Sequence, residues 1–208
     1  MSGRDLVGHY AQRFSVHGAT VQALQWSDES SQIERFAILA DGFRGPGSVL
    51  DFGCGFCDLL PFLRDKGLAD DYLGIDVVPD FVEESERRLA GYDNADVRLA
   101  EQGQPLPVGF DYVTISGVFN NIRDDNWKFM TDTLSECFAV ANTGVLFNAM
   151  STYVEYEDKD LFYVDPFELA KYCKSKLGAH IVLRHDYVLK QGGFPFEFAM
   201  FLYKTAVV

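Results

Sequence analysis

The sequence predicts an α/β domain built on a doubly wound, mixed seven-stranded sheet, with an N-terminal helical segment and an antiparallel C-terminal hairpin. Three observations carry this. From residue 48 onward short apolar runs alternate with longer amphipathic ones, the texture of crossover units on a parallel sheet. Residues 49–60 read as a buried strand, a glycine turn and an apolar helix. From His180 the alternation stops, and two β-prone runs flank Leu189-Lys190-Gln191-Gly192-Gly193, a hairpin signal.

Taken in order, Leu6, Tyr10 and Phe14 recur at i, i+4 and i+8 and predict a first helix. After Gly18 a second helix carries Ile33, Phe36, Ala37 and Ala40 on one stripe, and Gly42 with Gly45-Pro46-Gly47 stops it. Strands are expected at 48–52, 72–78, 96–99, 110–116 and 144–148. Between them Pro79 suits a first helical turn, Phe81, Val82, Ser85 and Leu89 form a face, and Glu83/Arg87 and Glu84/Arg88 are i, i+4 pairs. Trp127, Met130, Leu134, Cys137 and Phe138 make the next stripe, ending near Asn142 and Gly144. Asp165-Pro166-Phe167-Glu168 reads as a capping box on a helix reaching Leu177-Gly178, and runs 180–187 and 194–203 form the hairpin. One domain over 1–208 is expected, with 1–47 an N-terminal helical segment placed to act as a lid and 48–208 the core in which a binding site is expected.

With 31 acidic against 18 basic residues the formal charge is -13, which argues against nucleic acid or an anionic membrane as partner. The start lacks the apolar core of a signal peptide and no later stretch is apolar enough to span a bilayer. Four cysteines are too few for a disulfide scaffold in 208 residues, so a cytoplasmic location is expected. No Cys or His spacing indicates a metal.

The sharpest local feature is Asp51-x-Gly53-x-Gly55, because a tight strand-to-helix turn that admits a ligand excludes a Cβ. Asp76 closes the next strand, 23 residues after Gly53, where an acid can accept both hydroxyls of a ribose. The same acid could instead cap the following helix. Asp58 stands where a dinucleotide fold wants a third glycine, and no Walker lysine is present, which disfavours NAD, FAD and a P-loop nucleotide. Cys54-Gly55-Phe56-Cys57 is also a C-x-x-C, the signature of thiol–disulfide chemistry.

Asp51-x-Gly53-x-Gly55 followed by Gly74-Ile75-Asp76 resembles the class I S-adenosylmethionine-dependent methyltransferase family. The resemblance runs from about Gly18 to Lys204, through Phe110-Asp111-Tyr112-Val113 and the hairpin. It is nearest to a group of small bacterial members, through Phe147-Asn148-Ala149-Met150-Ser151, Leu161-Phe162-Tyr163-Val164-Asp165-Pro166 and His185-Asp186-Tyr187. It implies a Rossmann-like fold with S-adenosylmethionine as cofactor. By this likeness the turn of Asp51, Gly53, Cys54 and Gly55 approaches the methionine part, Asp76 takes the ribose hydroxyls and Val77 lies against adenine. Glu101, with Gln102 beside it, would meet the adenine amino group, and Ser116-Gly117 would border the sulfonium. Cys57 stands where the family often has a third glycine, and Trp26 with Arg35-Phe36 would form part of a lid.

A sulfonium methyl is already activated, so the protein's task is to hold an acceptor in line with the S–CH3 bond and to exclude water. His185 is the candidate general base for a hydroxyl or amine acceptor, with a satisfied strand-end histidine as its other reading. Asn120, Asn121, Asn148, Tyr153, Tyr163 and Tyr187 are expected to face the acceptor, whose class they suggest is a small polar metabolite with an apolar part. Glu155, Glu157, Asp158 and Asp160 would favour a cationic molecule if they lined the entrance. Non-methyl chemistry on the same cofactor, a thiol–disulfide protein and a non-catalytic binder remain as alternatives.

Overall fold

A computed structural model describes residues 5–26, 28–101, 103–189 and 192–207. Two helices, α1 (Leu6–His17) and α2 (Glu29–Ala40), precede the core. Each begins on an aspartate whose side chain accepts from a backbone N–H of the first turn, Asp5 from Gly8 and Asp28 from Ser31. The core then runs β1 (Gly47–Phe52), α3 (Leu59–Asp65), β2 (Ala69–Asp76), α4 (Pro79–Leu89), β3 (Ala95–Leu99), β4 (Tyr112–Ile115), α5 (Asn126–Val140), β5 (Gly144–Ser151), β6 (Tyr163–Val164), α6 (Pro166–Tyr172), β7 (His180–Arg184) and β8 (Glu197–Tyr203).

The strands lie in the order β3-β2-β1-β4-β5-β8-β7, with β6 paired in parallel to the last two residues of β5. Every pair from β3 to β5 is parallel, whereas β8 runs antiparallel to both neighbours. Strands β5 and β8 are buried along their whole length, which is why 144–151 and 197–203 read as nearly continuous apolar runs. Strand order reverses between β1 and β4, and the crevice at such a switch point is where open α/β sheets hold ligands.

Helices cover both faces. Met130, Leu134 and Cys137 of α5 pack with Leu169 of α6 against Val113, Phe147 and Phe198. On the other face Phe36 of α2, Leu60 and Leu63 of α3 and Val82 of α4 meet Val49, Tyr72 and Val97. The i, i+4 pairs of α4 form, with Arg88 Nε 2.9 Å from Glu84 and Arg87 3.5 Å from Glu83. Asp165 caps α6 through Phe167 and Glu168 N–H groups. Among the described residues no helix is long and apolar enough to cross a membrane.

Four details differ from the sequence reading. Ile33 is 51% exposed, and the buried face of α2 carries Gln32, Arg35, Phe36, Leu39 and Ala40, because Arg35 turns inward to a buried carboxylate. The last turn before Gly178 widens from α to π geometry over 173–177, closed by that glycine at φ 69°. Strand β7 leaves the sheet after Arg184 and β8 begins only at Glu197, so the C-terminal pair is joined by a long connection. Strand β6 is an eighth strand that no alternation in its two residues announces.

Candidate functional site

A cavity of about 460 Å³ opens at the C-terminal ends of β1, β2 and β4, beneath Leu6, Val7 and Tyr10 of α1 and beside Leu24 and Trp26. That volume is in the usual range for a small-molecule site.

Its floor is the turn after β1. Gly53 and Gly55 take φ of 73° and 56°, and a Cβ on either would collide, at 2.4 Å with Val118 and at 2.9 Å with Leu24. The N–H groups of Gly53 and Cys54 donate to Ile75 O at 2.8 and 3.1 Å, tying the turn to β2. Cys57 also adopts a left-handed φ, 59°, a conformation that disfavours a side chain by about 1–2 kcal/mol. Its compensation lies in packing: a Cβ on Gly74 would stand 2.7 Å from the Sγ atoms of both Cys54 and Cys57, so the glycine of β2 is the seat for two buried sulfurs. Burial pushes the Cys54 thiol well above its ordinary range, leaving it protonated and weakly nucleophilic at neutral pH. That environment suits a packing role and works against thiol–disulfide exchange. Cys57→Ser is therefore expected to leave cofactor affinity within about twofold in calorimetry while lowering stability by about 1–2 kcal/mol in urea melts, through a buried hydroxyl without a partner.

Two buried acids sit behind and beside the turn. Asp51 accepts from Tyr72 OH at 2.6 Å and Thr114 OH at 2.8 Å, and burial pushes its carboxyl up to about 6 against those hydrogen bonds. Asp76 accepts from Gly55 N at 2.9 Å through one oxygen and from Val78 N at 3.0 Å through the other. Burial raises it to about 6 as well, with the backbone donors pulling the other way. Asp76 thus holds the start of α4, as the capping reading has it, and the glycine turn as well, and it lines the cavity wall. Asp58 is tied to Arg88 at 2.6 Å, so its charge is compensated away from the cavity.

Other predicted residues divide. Val77, half exposed, and Ser116, Gly117 and Asn121 line the cavity with the turn and Asp76. Glu101 is exposed and the wall there is Ala100, while Gln102 lies outside the described residues. Asn148 is not at the wall: its Oδ1 accepts from Gly117 N at 2.9 Å and its Nδ2 donates to Glu197 at 3.0 Å. Tyr187 OH donates to the same carboxylate at 3.2 Å. Asn120, Tyr153, Tyr163 and His185 also stand apart from the cavity. Tyr153 stacks edge-on with Phe167 and His185, and the Tyr163 hydroxyl accepts from Asp158 N at 3.1 Å. For Tyr153 and Tyr163 the physical reason is the path of segment 152–165, which pairs with the end of β5 as β6 and bridges Leu161 to Asn121.

The sequence reading missed Tyr10, Val118, Arg123 and Phe129, which all line the cavity. Tyr10 donates to Gln25 at 2.9 Å and accepts from Asn121 at 2.8 Å, clamping α1 to the loop after β4. Its place on the apolar stripe of α1 was the available signal. Behind the rim lies a buried ion pair, Arg35 Nε to Glu197 at 2.9 Å, with the guanidinium 4.4 Å from the Trp26 ring. Trp26 in turn fills the space beside Gly117, where a Cβ would come within 2.6 Å of the indole.

Residues 50–147 match a methyltransferase domain family. The chain is 33% identical over 167 residues to a protein of Mycobacterium tuberculosis strain H37Rv provisionally named a methyltransferase, across 77% of this chain and 95% of that one. Among solved structures its fold is similar to DhpI in complex with SAH, with a TM-score of 0.66 at 18% identity over 94% of this chain and 93% of that chain. It is also similar to magnesium protoporphyrin IX methyltransferase (ChlM) from Synechocystis PCC 6803 with bound SAH, with a TM-score of 0.63 at 14% identity over 85% and 83% of the two chains.

Proposed function

Because the chain belongs to the class I S-adenosylmethionine-dependent methyltransferase family, we propose that it moves the cofactor's methyl group to an oxygen or nitrogen of a small polar metabolite by in-line displacement. The observation that carries this reading is Asp76: a buried carboxylate, held by the backbone N–H groups of Gly55 and Val78, at a wall shared with the Gly53–Gly55 turn. An adenosyl ribose presents two hydroxyls at the right spacing for such an acceptor. Ser116 Oγ is buried without a partner among the described residues at the same wall, a further polar group that a ligand would satisfy. The residues present therefore fit the group.

When bound, S-adenosylmethionine supplies a sulfonium methyl that needs no further activation. The chain's own work is positional. Asp51, Gly53, Cys54 and Gly55 shape the floor, Val77 and Ala100 give an apolar edge for adenine, and α1 with Trp26 closes the roof against water as a lid over residues 48–208. Asn121 is the acceptor-side residue retained from the sequence reading, and Asn148 and Tyr187 act through Gly117 and Glu197. His185, away from the cavity, is not assigned as base. A cytoplasmic location accords with four buried free thiols among the described residues.

Calorimetry of the purified protein with S-adenosylmethionine and S-adenosylhomocysteine tests the reading, with saturable 1:1 binding expected. Absence of binding by both overturns it, and mass analysis of products distinguishes methyl transfer from other chemistry on the same cofactor.

A further inference from the structure

Six buried side-chain atoms lack a hydrogen-bond partner among the described residues, and four of them lie between residues 116 and 123: Ser116 Oγ, Asn120 Oδ1, Asn121 Oδ1 and Arg123 Nε. Buried polar atoms are nearly always paired, so such a concentration marks a place built for something else to complete. Ser116, Asn121 and Arg123 line the cavity.

Arg123 is the anomaly. It is the one basic side chain among the described residues lining the cavity, alongside Asp5, Asp51 and Asp76. Its guanidinium rests 3.6 Å from the Phe129 ring centroid and makes no ion pair among the described residues. Burial alone pulls its pKa down, the mark of a desolvated charge without a counterion. Such a group is unhelpful to the cofactor, whose sulfonium and ammonium outweigh its carboxylate and give it net positive charge. Asp76 and Asp51 answer that charge, and Arg123 opposes it. A guanidinium kept beside a cationic cofactor is consistent with a second ligand that brings a negative charge. Beside it, Asn121 spends its Nδ2 on Tyr10 and keeps Oδ1 as an unused acceptor. The acidic residues Glu155, Glu157, Asp158 and Asp160, which would have favoured a cation, are exposed and do not line the cavity.

We propose that Arg123 and Asn121 read the methyl acceptor, a small anionic molecule whose carboxylate or phosphate group pairs with the Arg123 guanidinium and whose neighbouring hydroxyl or amine donates to Asn121 Oδ1. This rests on the methyltransferase reading and names the class of molecule that reading leaves open. The planar fork of arginine suits either oxyanion.

The test uses the full chain saturated with S-adenosylhomocysteine and titrated with benzoate and, separately, inorganic phosphate. At least one is expected to bind at about millimolar strength, and Arg123→Gln is expected to weaken it at least about tenfold while affinity for S-adenosylhomocysteine stays within about twofold. Which probe binds tells carboxylate from phosphate. Failure of both probes on the saturated wild type overturns the proposal, as does equal binding by wild type and R123Q. A drop in S-adenosylhomocysteine affinity without a drop for methylthioadenosine, which lacks the amino-acid part, also overturns it, since Arg123 would then serve the cofactor's own carboxylate; an equal drop for both nucleosides places it at adenine and overturns it too. If R123Q does not fold, Arg123→Lys keeps the charge without the fork and is expected to weaken anion binding severalfold, with unchanged binding overturning the proposal. Loss of S-adenosylhomocysteine binding by the wild type is a separate result, which removes the methyltransferase reading itself.

Discussion

Asp76→Ala is expected to weaken S-adenosylhomocysteine binding by about a hundredfold, because the proposed role of Asp76 gives it two charge-assisted hydrogen bonds to the ribose, at about 1.5 kcal/mol each, that are removed together. The variant also strips Gly55 N and Val78 N of their acceptor, so it should melt earlier than the wild type. Asp76→Asn separates the two effects, since its amide keeps the volume and one acceptor while losing the charge. Calorimetry should place it between wild type and alanine, and an alanine variant of unchanged affinity would remove Asp76 from the site. The reaction to pH has a definite sign. Burial raises the carboxyls of Asp76 and Asp51 from 3.8 to about 6, so the folded protein holds more protons than the unfolded chain between those values. Stability from each group therefore falls as pH rises through that window, by about 3 kcal/mol once complete. Ribose hydroxyls held as proposed would donate to the charged form and pull Asp76 back down. Binding is thus expected to release protons near pH 6, and affinity to rise with pH up to about 7 and then level off. Measurement in buffers of different ionisation enthalpy reads that release directly, and D76N should lose most of it, keeping only what Asp51 contributes.

What the sequence made legible follows from how local each signal is. The turn at 53–57 and the acid at the end of β2 could be read because glycines at left-handed positions and a strand-terminal carboxylate leave their mark within a few residues. The reversal of direction at β8 was legible in kind, from the break in alternation, though not in extent. Residues whose position depends on a distant partner were misread. Ile33 looked like the buried edge of α2, but Arg35 has its carboxylate on β8, 162 residues away, and that pair rotates the helix. Asn148 and Tyr187 looked like residues facing an acceptor because polar groups at a strand end usually meet a ligand, whereas here they meet Glu197. Arg123 stands in a polar stretch without periodicity, and only the three-dimensional path of the loop after β4 brings it to Phe129 and the cavity.

The largest stability effect is expected at that same distant pair. Arg35 is 7% exposed and Glu197 1%, and the carboxylate accepts from Arg35, Asn148 and Tyr187 together. Burial pushes the Glu197 carboxyl up, and Arg35 with Tyr187 and Asn148 pulls against that shift in favour of the charged form. Glu197→Ala leaves a buried guanidinium uncompensated and should destabilise the fold by about 3–5 kcal/mol in urea unfolding. The double variant Arg35→Met/Glu197→Leu removes both charges and fills the space with apolar atoms, so it is expected to be more stable than Glu197→Ala. Equal destabilisation in the single and double variants would mean that packing, not charge, dominates there. The pair also bears on the site. Glu197 orients Asn148, Asn148 holds Gly117 N at 2.9 Å, and Arg35 supports the Trp26 ring that packs on Gly117. Cutting the network in the double variant should therefore loosen the rim after β4 while leaving Asp76 and the turn at 53–57 in place. Turnover with a saturating acceptor should fall more than affinity for S-adenosylhomocysteine, a split that general destabilisation would not produce.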